Sequence, residues 1–159
     1  MDTDLQHRSA LGCELVAEVT RSFGEVRLRV TGASMIPAIW PGDIITVRRR
    51  DIGELEPGQI VLSSREGKLV AHRVTRIHSN LLTTQGDSIL YEDPPVSESD
   101  IVGQVVRLLR NGRPMDLKQS QWQRIGSSIF RHSGFCMRMA LRLGRRLQSV
   151  ASREISWAG

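Results

Sequence analysis

The sequence predicts a mainly β protein. It should form a compact antiparallel β domain with a helix at its N-terminus and a basic amphipathic helical segment at its C-terminus. Three observations carry that expectation. Between residues 25 and 118, short apolar runs are separated by clusters of Gly, Pro, Asn and Asp. Several of those runs alternate polar and apolar residues, as half-buried strands do. Outside them the apolar residues recur at spacings of three and four, the helical pattern. The expected divisions are an N-terminal helix over 1–24, a β domain over 25–118 and a helical tail over 119–159.

The chain has 159 residues, 40% of them hydrophobic, which suffices for one domain with a real core and argues against wholesale disorder. Its net charge is +5, and the excess is local: residues 119–153 hold seven arginines and no acid, while residues 1–118 are close to balanced. No window reaches the roughly 18 apolar residues needed to cross a bilayer. The N-terminus, Met1-Asp2-Thr3-Asp4, is acidic and has no apolar run of signal-peptide length. A cytoplasmic location is expected, with the tail able to hold the protein at the inner membrane face. Cys13 and Cys136 lie far apart and no histidine is spaced with either as a metal pair would be. Two free thiols, no metal and no cofactor are expected.

Taken in order, Ser9 can cap a helix from about Ala10 to Ser22, with Leu11, Leu15, Val19 and Phe23 as its apolar repeat. Gly24 stops it. Glu25 to Val30 alternates as a strand. Asp43 to Arg48 reads as the next, and Arg48-Arg49-Arg50-Asp51 as its solvated end; a charged strand end is the better reading than a nucleic-acid patch, so no nucleic-acid partner is expected. Pro57-Gly58 is a turn before Ile60-Val61-Leu62. Lys68 to Ile77 is the longest strand. Leu81 to Thr84 is short, Tyr91 to Pro95 is a stiff proline loop, and Ile101 to Leu109 is a strand that the tight turn Asn111-Gly112 folds back onto Met115-Asp116-Leu117.

The tail repeats Trp122, Ile125, Ile129, Ala140, Leu143 and Leu147 on a helical period, with arginines mainly elsewhere. Such a face suits either the core of the β domain or, through residues 119–152, an anionic membrane surface or an acidic partner.

Three places carry the candidate chemistry. Ser34 lies between the turn formers Gly32 and Pro37, followed by Trp40-Pro41-Gly42-Asp43, so it sits on a stiff loop. A serine there either caps a helical turn or is aimed at a substrate. His72 shares a strand face with Val70 and Val74, which suits either a satisfied half-buried histidine or a base. A serine hydroxyl needs a base to take its proton and a third group to orient that base, and a carboxylate near Asp87 or Asp93 could serve. Chain order cannot decide whether the three meet.

The block Gly32-Ala33-Ser34-Met35-Ile36-Pro37 with Gly42-Asp43 resembles the serine box of signal peptidase I and its relatives. Pro57-Gly58-Gln59-Ile60-Val61, Ala71-His72-Arg73-Val74 and Gln85-Gly86-Asp87-Ser88 follow in that family's order. The resemblance covers about Val30 to Leu108 and implies a β domain of signal-peptidase type. His72 stands where bacterial signal peptidases carry a lysine, which resembles the archaeal and endoplasmic-reticulum branch that works with serine, histidine and aspartate. In that branch a second aspartate stands six residues after the Gly-Asp block, as Asp93 does after Asp87.

The resemblance thus implies a serine endopeptidase with Ser34 as nucleophile, His72 as general base, Asp93 as orienting carboxylate and Asp87 as a structural or supporting acid. Gly32, Ala33, Met35 and Pro37 would form the oxyanion and substrate loop. Gly32 replaces the family's usual hydroxyl donor and Ala33 its usual glycine, so the oxyanion would rest on backbone N–H groups, chiefly that of Ser34, or on Thr31. Lacking the family's membrane anchor, the chain would process a particular peptide or precursor protein after small residues. Two alternatives stand beside this reading: a self-cleaving regulator of the related repressor fold, and an inactive module that holds a peptide in the groove.

Overall fold

The structure, a computed structural model, describes residues 2–117. The tail, with Cys136 and the expected docking segment 119–152, lies outside the described residues. Helix α1 (Asp2–Phe23) is followed by eight strands: β1 (Glu25–Arg29), β2 (Ile44–Arg48), β3 (Ile60–Arg65), β4 (Lys68–His78), β5 (Leu81–Gln85), β6 (Val96–Ser97), β7 (Ile101–Arg110) and β8 (Arg113–Met115). Short 3-10 turns occupy Ile52–Glu54 and Glu98–Asp100. All pairings are antiparallel, and the strands form one sheet in the order β1-β2-β7-β3-β4-β5-β6 with β8 on β7. The mainly β, antiparallel class expected from the turn spacing is what the chain adopts.

The hairpins follow from their turn residues. Asn111 and Gly112 both have positive φ, 51° and 75°, which is the backbone a two-residue hairpin between right-twisted strands requires. Strand β7 is the hub: it pairs with β3 through Ile101–Gln104, with β2 through Gln104–Leu109 and with β8 through Leu108–Arg110.

Both faces of the central strands are covered. On β3, Ile60 and Leu62 enter one core with Met35, Ile39, Ile45, Val47, Val102, Val105 and Leu108. Val61, between them, enters a second core with Ile52, Leu55, Val74, Leu82 and Val96. The two-residue period of a strand makes that division.

Helix α1 differs from its expected form in two ways. It begins at Asp2 rather than Ala10, since no Gly or Pro interrupts residues 2–11. It also presents a different face. Cys13 and Thr20 are buried and Val16 and Ala17 pack on the first core, whereas Leu11, Leu15 and Phe23 are 51%, 65% and 79% exposed. Small residues set this choice: Ala10 lies so close to Gly67 that a Cβ added there would sit 3.3 Å from the Ala10 Cβ. The helix thus seats its narrow side on the β3–β4 turn. Cys13 is a free thiol. Among the described residues no helix is long and apolar enough to cross a membrane.

The loop between β1 and β2 is closed at its base and anchored from within. Val30 N–H donates to the Asp43 carbonyl and Gly42 N–H to the Val30 carbonyl, both at 2.8 Å, extending the β1–β2 ladder. The Asp43 side chain, 3% exposed, accepts from Trp40 N–H at 2.8 Å and from Arg110 Nε and Nη2 at 3.1 and 2.8 Å. Arg110 also reaches the Ala38 carbonyl and lies over the Trp40 ring. Asp43→Ala would leave a half-buried guanidinium and a turn amide without their acceptor. We expect a loss of about 2–4 kcal/mol, read as a lower urea midpoint at unchanged m-value.

Candidate active site

Ser34 is positioned by its neighbours. Met35, Ile36 and Ile39 are each 3% exposed or less, so the loop is nailed into the core on both sides of the helical turn closed by Ile39 N–H to the Met35 carbonyl. The Ile36–Pro37 peptide is cis, and the Trp40 indole N–H donates to the Pro37 carbonyl at 2.9 Å. Met35, expected in the substrate loop, therefore faces the core, and its part is to fix the loop. Gly32 and Ala33 lie on the more open side of the same loop.

His72 comes from the middle of β4, opposite Val61 of β3, and is 5% exposed. Its two ring nitrogens are both engaged. Nε2 lies 2.9 Å from Ser34 Oγ, and Nδ1 lies 2.6 Å from Asp93 Oδ2. Asp93 sits in the proline loop beyond β5, where Pro94 forces its backbone to be extended. Its N–H donates to the Thr84 carbonyl at 2.8 Å and its Oδ2 accepts from the Thr84 hydroxyl at 2.6 Å. Three residues separated by 38 and 21 positions thus meet in one hydrogen-bonded line. A carboxylate only accepts, so Nδ1 carries the proton and the Nε2 lone pair faces the serine hydroxyl.

Asp87 stands apart from this line. Its two carboxylate oxygens accept from Arg73 Nε and Nη2 at 2.9 and 2.8 Å, a bidentate pair whose third arm, Arg73 Nη1, donates to the Gly58 carbonyl at 2.7 Å. Arg73 is buried for that reason, although strand alternation alone would send it outward. The pair locks the Gly86-Asp87-Ser88 turn, and that turn in turn holds the Ser34 loop. Ser88 N–H donates to the Ser34 carbonyl at 3.0 Å, and its hydroxyl lies 2.9 and 3.1 Å from the Ser34 and Ala33 carbonyls.

Thr84, Ser88, Gly86 and Arg73 are the residues that sequence reasoning gave no role. Ser88 and Gly86 belong to a motif block whose spacing was visible. Thr84 carried no signal, since a threonine in an alternating strand is common.

The sequence profile of the Peptidase S24-like family matches residues 4–106, which takes in most of helix α1 and every residue of this cluster. The chain belongs to the Peptidase S24-like family. No curated protein matches it. Membership of that family carries a serine peptidase or related fold, with signal-peptidase-like proteases and self-cleaving repressors both within its range. Among the described residues no group of three or more His, Cys, Asp or Glu side chains could hold a metal ion.

Proposed function

We propose that this S24-like protein is a serine endopeptidase in which Ser34 is the nucleophile, His72 the general base and Asp93 the orienting carboxylate. One observation carries the reading: the continuous line from Ser34 Oγ through both His72 nitrogens to Asp93 Oδ2, at 2.9 and 2.6 Å. Both distances are within hydrogen-bond reach for a nucleophile–base–orienter chain. The histidine base, in place of lysine, aligns the chain with the archaeal and endoplasmic-reticulum branch of the signal-peptidase-like enzymes.

In this reading Ser34 Oγ attacks the scissile carbonyl carbon as its proton passes to His72 Nε2. The tetrahedral oxyanion is met by the Ser34 N–H, which donates to no backbone carbonyl within the loop. The C–N bond then breaks, and imidazolium returns the proton to the departing amine. Water attacks the acyl-Ser34 ester with His72 again as base, releasing the acid and restoring the serine. Asp93 holds the tautomer and faces the positive charge that His72 carries between the two transfers.

The substrate is proposed to be an extended peptide with small residues beside the cut, bound as an added strand. The test is incubation of the intact chain, and of Ser34→Ala, with a peptide library read by mass spectrometry. Cuts after small residues by the parent alone support the proposal. A single cut within the chain itself, with no peptide cleaved in trans, supports the self-cleaving reading instead.

A further inference from the structure

Asp93 Oδ2 takes hydrogen bonds from His72 and Thr84, and a third group stands behind them. Arg65, the last residue of β3, places Nη2 3.1 Å from Thr84 Oγ1 and 3.8 Å from Asp93 Oδ2, while Nη1 donates to the Pro94 carbonyl at 3.0 Å. Its side chain is only 18% exposed, and its Nε is buried with no hydrogen-bond partner among the described residues. Burying an unpartnered N–H and ordering a long side chain both oppose folding. Surface charge does not need such an arrangement.

The donor inventory fixes what it does. A guanidinium can only donate, so Thr84 Oγ1 must accept from Arg65. The hydroxyl has one hydrogen, and Thr84 is fully buried, so that hydrogen is left to point at Asp93 Oδ2. The second arm of Arg65 grips the carbonyl of Pro94, one residue beyond Asp93, in a peptide whose nitrogen belongs to Pro95 and has no N–H to offer.

We infer that Arg65 is a positioning residue for the proposed Ser34–His72–Asp93 line: through Thr84 and the Pro94 carbonyl it holds the Asp93 carboxylate in the orientation that His72 requires. The inference rests on the peptidase reading for its consequence, and on geometry alone for the arrangement.

The experiment uses the full chain with Arg65→Met, Arg65→Lys and Thr84→Val. The first readout is the low-field proton resonance of the hydrogen-bonded His72 Nδ1–H, assigned by its absence in His72→Ala. The second is the rate at which a fluorophosphonate modifies Ser34, followed across pH. The expected result is that Arg65→Met and Thr84→Val lose or broaden the resonance and slow modification about 10- to 100-fold, the cost of a misplaced reacting group. Arg65→Lys, which keeps the charge, should restore both readouts in large part. A folded Arg65→Met with the parental resonance and rate overturns the inference.

If Arg65→Met does not fold, Thr84→Val decides on the same readouts, because it removes the hydroxyl at nearly constant shape. If the parent Ser34 does not react, the peptidase reading falls, and the resonance decides the positioning role: loss in Arg65→Met with return in Arg65→Lys supports it, and persistence in Arg65→Met overturns it.

Discussion

Ser34→Ala, His72→Ala and the double variant should all lose about the same amount of activity, four or more orders of magnitude in kcat. A nucleophile without its base and a base without its nucleophile are equally useless, so the losses do not add. Asp93→Asn should cost somewhat less, about a thousandfold to ten-thousandfold, because the serine and imidazole remain while the tautomer is no longer held. All of these side chains lie within 2.9 Å of their partners, so the variants should be separately checked for folding by denaturant midpoint. His72 is 5% exposed, and its truncation carries the larger stability cost of the two alanines. Losses from Ser34→Ala and His72→Ala that multiply in the double variant would show that the two act independently.

A methyl group at Gly86 should be the next most damaging change, although Gly86 touches no substrate in this account. A Cβ there would lie 2.7 Å from the Ser34 carbonyl oxygen, 2.9 Å from Ile89 Cδ1 and 3.0 Å from His72 Nε2. The first of these is backbone and cannot turn aside. Gly86→Ala therefore has to push the turn away from the Ser34 loop, breaking the Ser88 bonds to the Ser34 carbonyl and opening the gap between Oγ and Nε2. Displacements of about 1 Å at such a contact cost on the order of a hundredfold in rate. Stability should fall by only about 1–3 kcal/mol, the range for overpacking. Gly53→Ala is the control: a Cβ there meets nothing within 4 Å, and it should leave both properties unchanged. Equal kcat/KM for Gly86→Ala and the parent would mean that this turn does not set the serine–histidine distance.

Much of this arrangement could be read before the structure. The strands were legible because their alternation and turn chemistry agree: Asn111-Gly112 and the Glu25–Val30 alternation point to the same hairpin architecture that β1, β7 and β8 adopt. Loop stiffness points to Ser34 and strand face to His72, the carboxylate is left open between Asp87 and Asp93, and the resemblance to signal peptidase I implies Asp93; the fold brings Ser34, His72 and Asp93 together.

What the sequence concealed has physical causes. The buried face of α1 differs from the expected one because size alone favours burying Leu11 and Leu15 over Cys13, Ala17 and Thr20. Close seating on Gly67 favours the small residues instead. The burial of Arg73 and Arg65 has no signal in the sequence, since alternation knows nothing of a partner supplied from a distant loop. Their acceptors, Asp87, Gly58, Thr84 and Pro94, become visible only when β3, β4 and β5 lie side by side. The two-residue strand β6 was also missed, being too short to show a period.

The account rests on Ser34 being an activated nucleophile, and one measurement addresses that directly. The full chain is treated with a fluorophosphonate at neutral pH, and the adduct is located by peptide mass mapping. The account predicts a single adduct on Ser34, absent after the same exposure of His72→Ala. A parent chain of unchanged mass, or an adduct that forms on Ser34 equally well without His72, would contradict it.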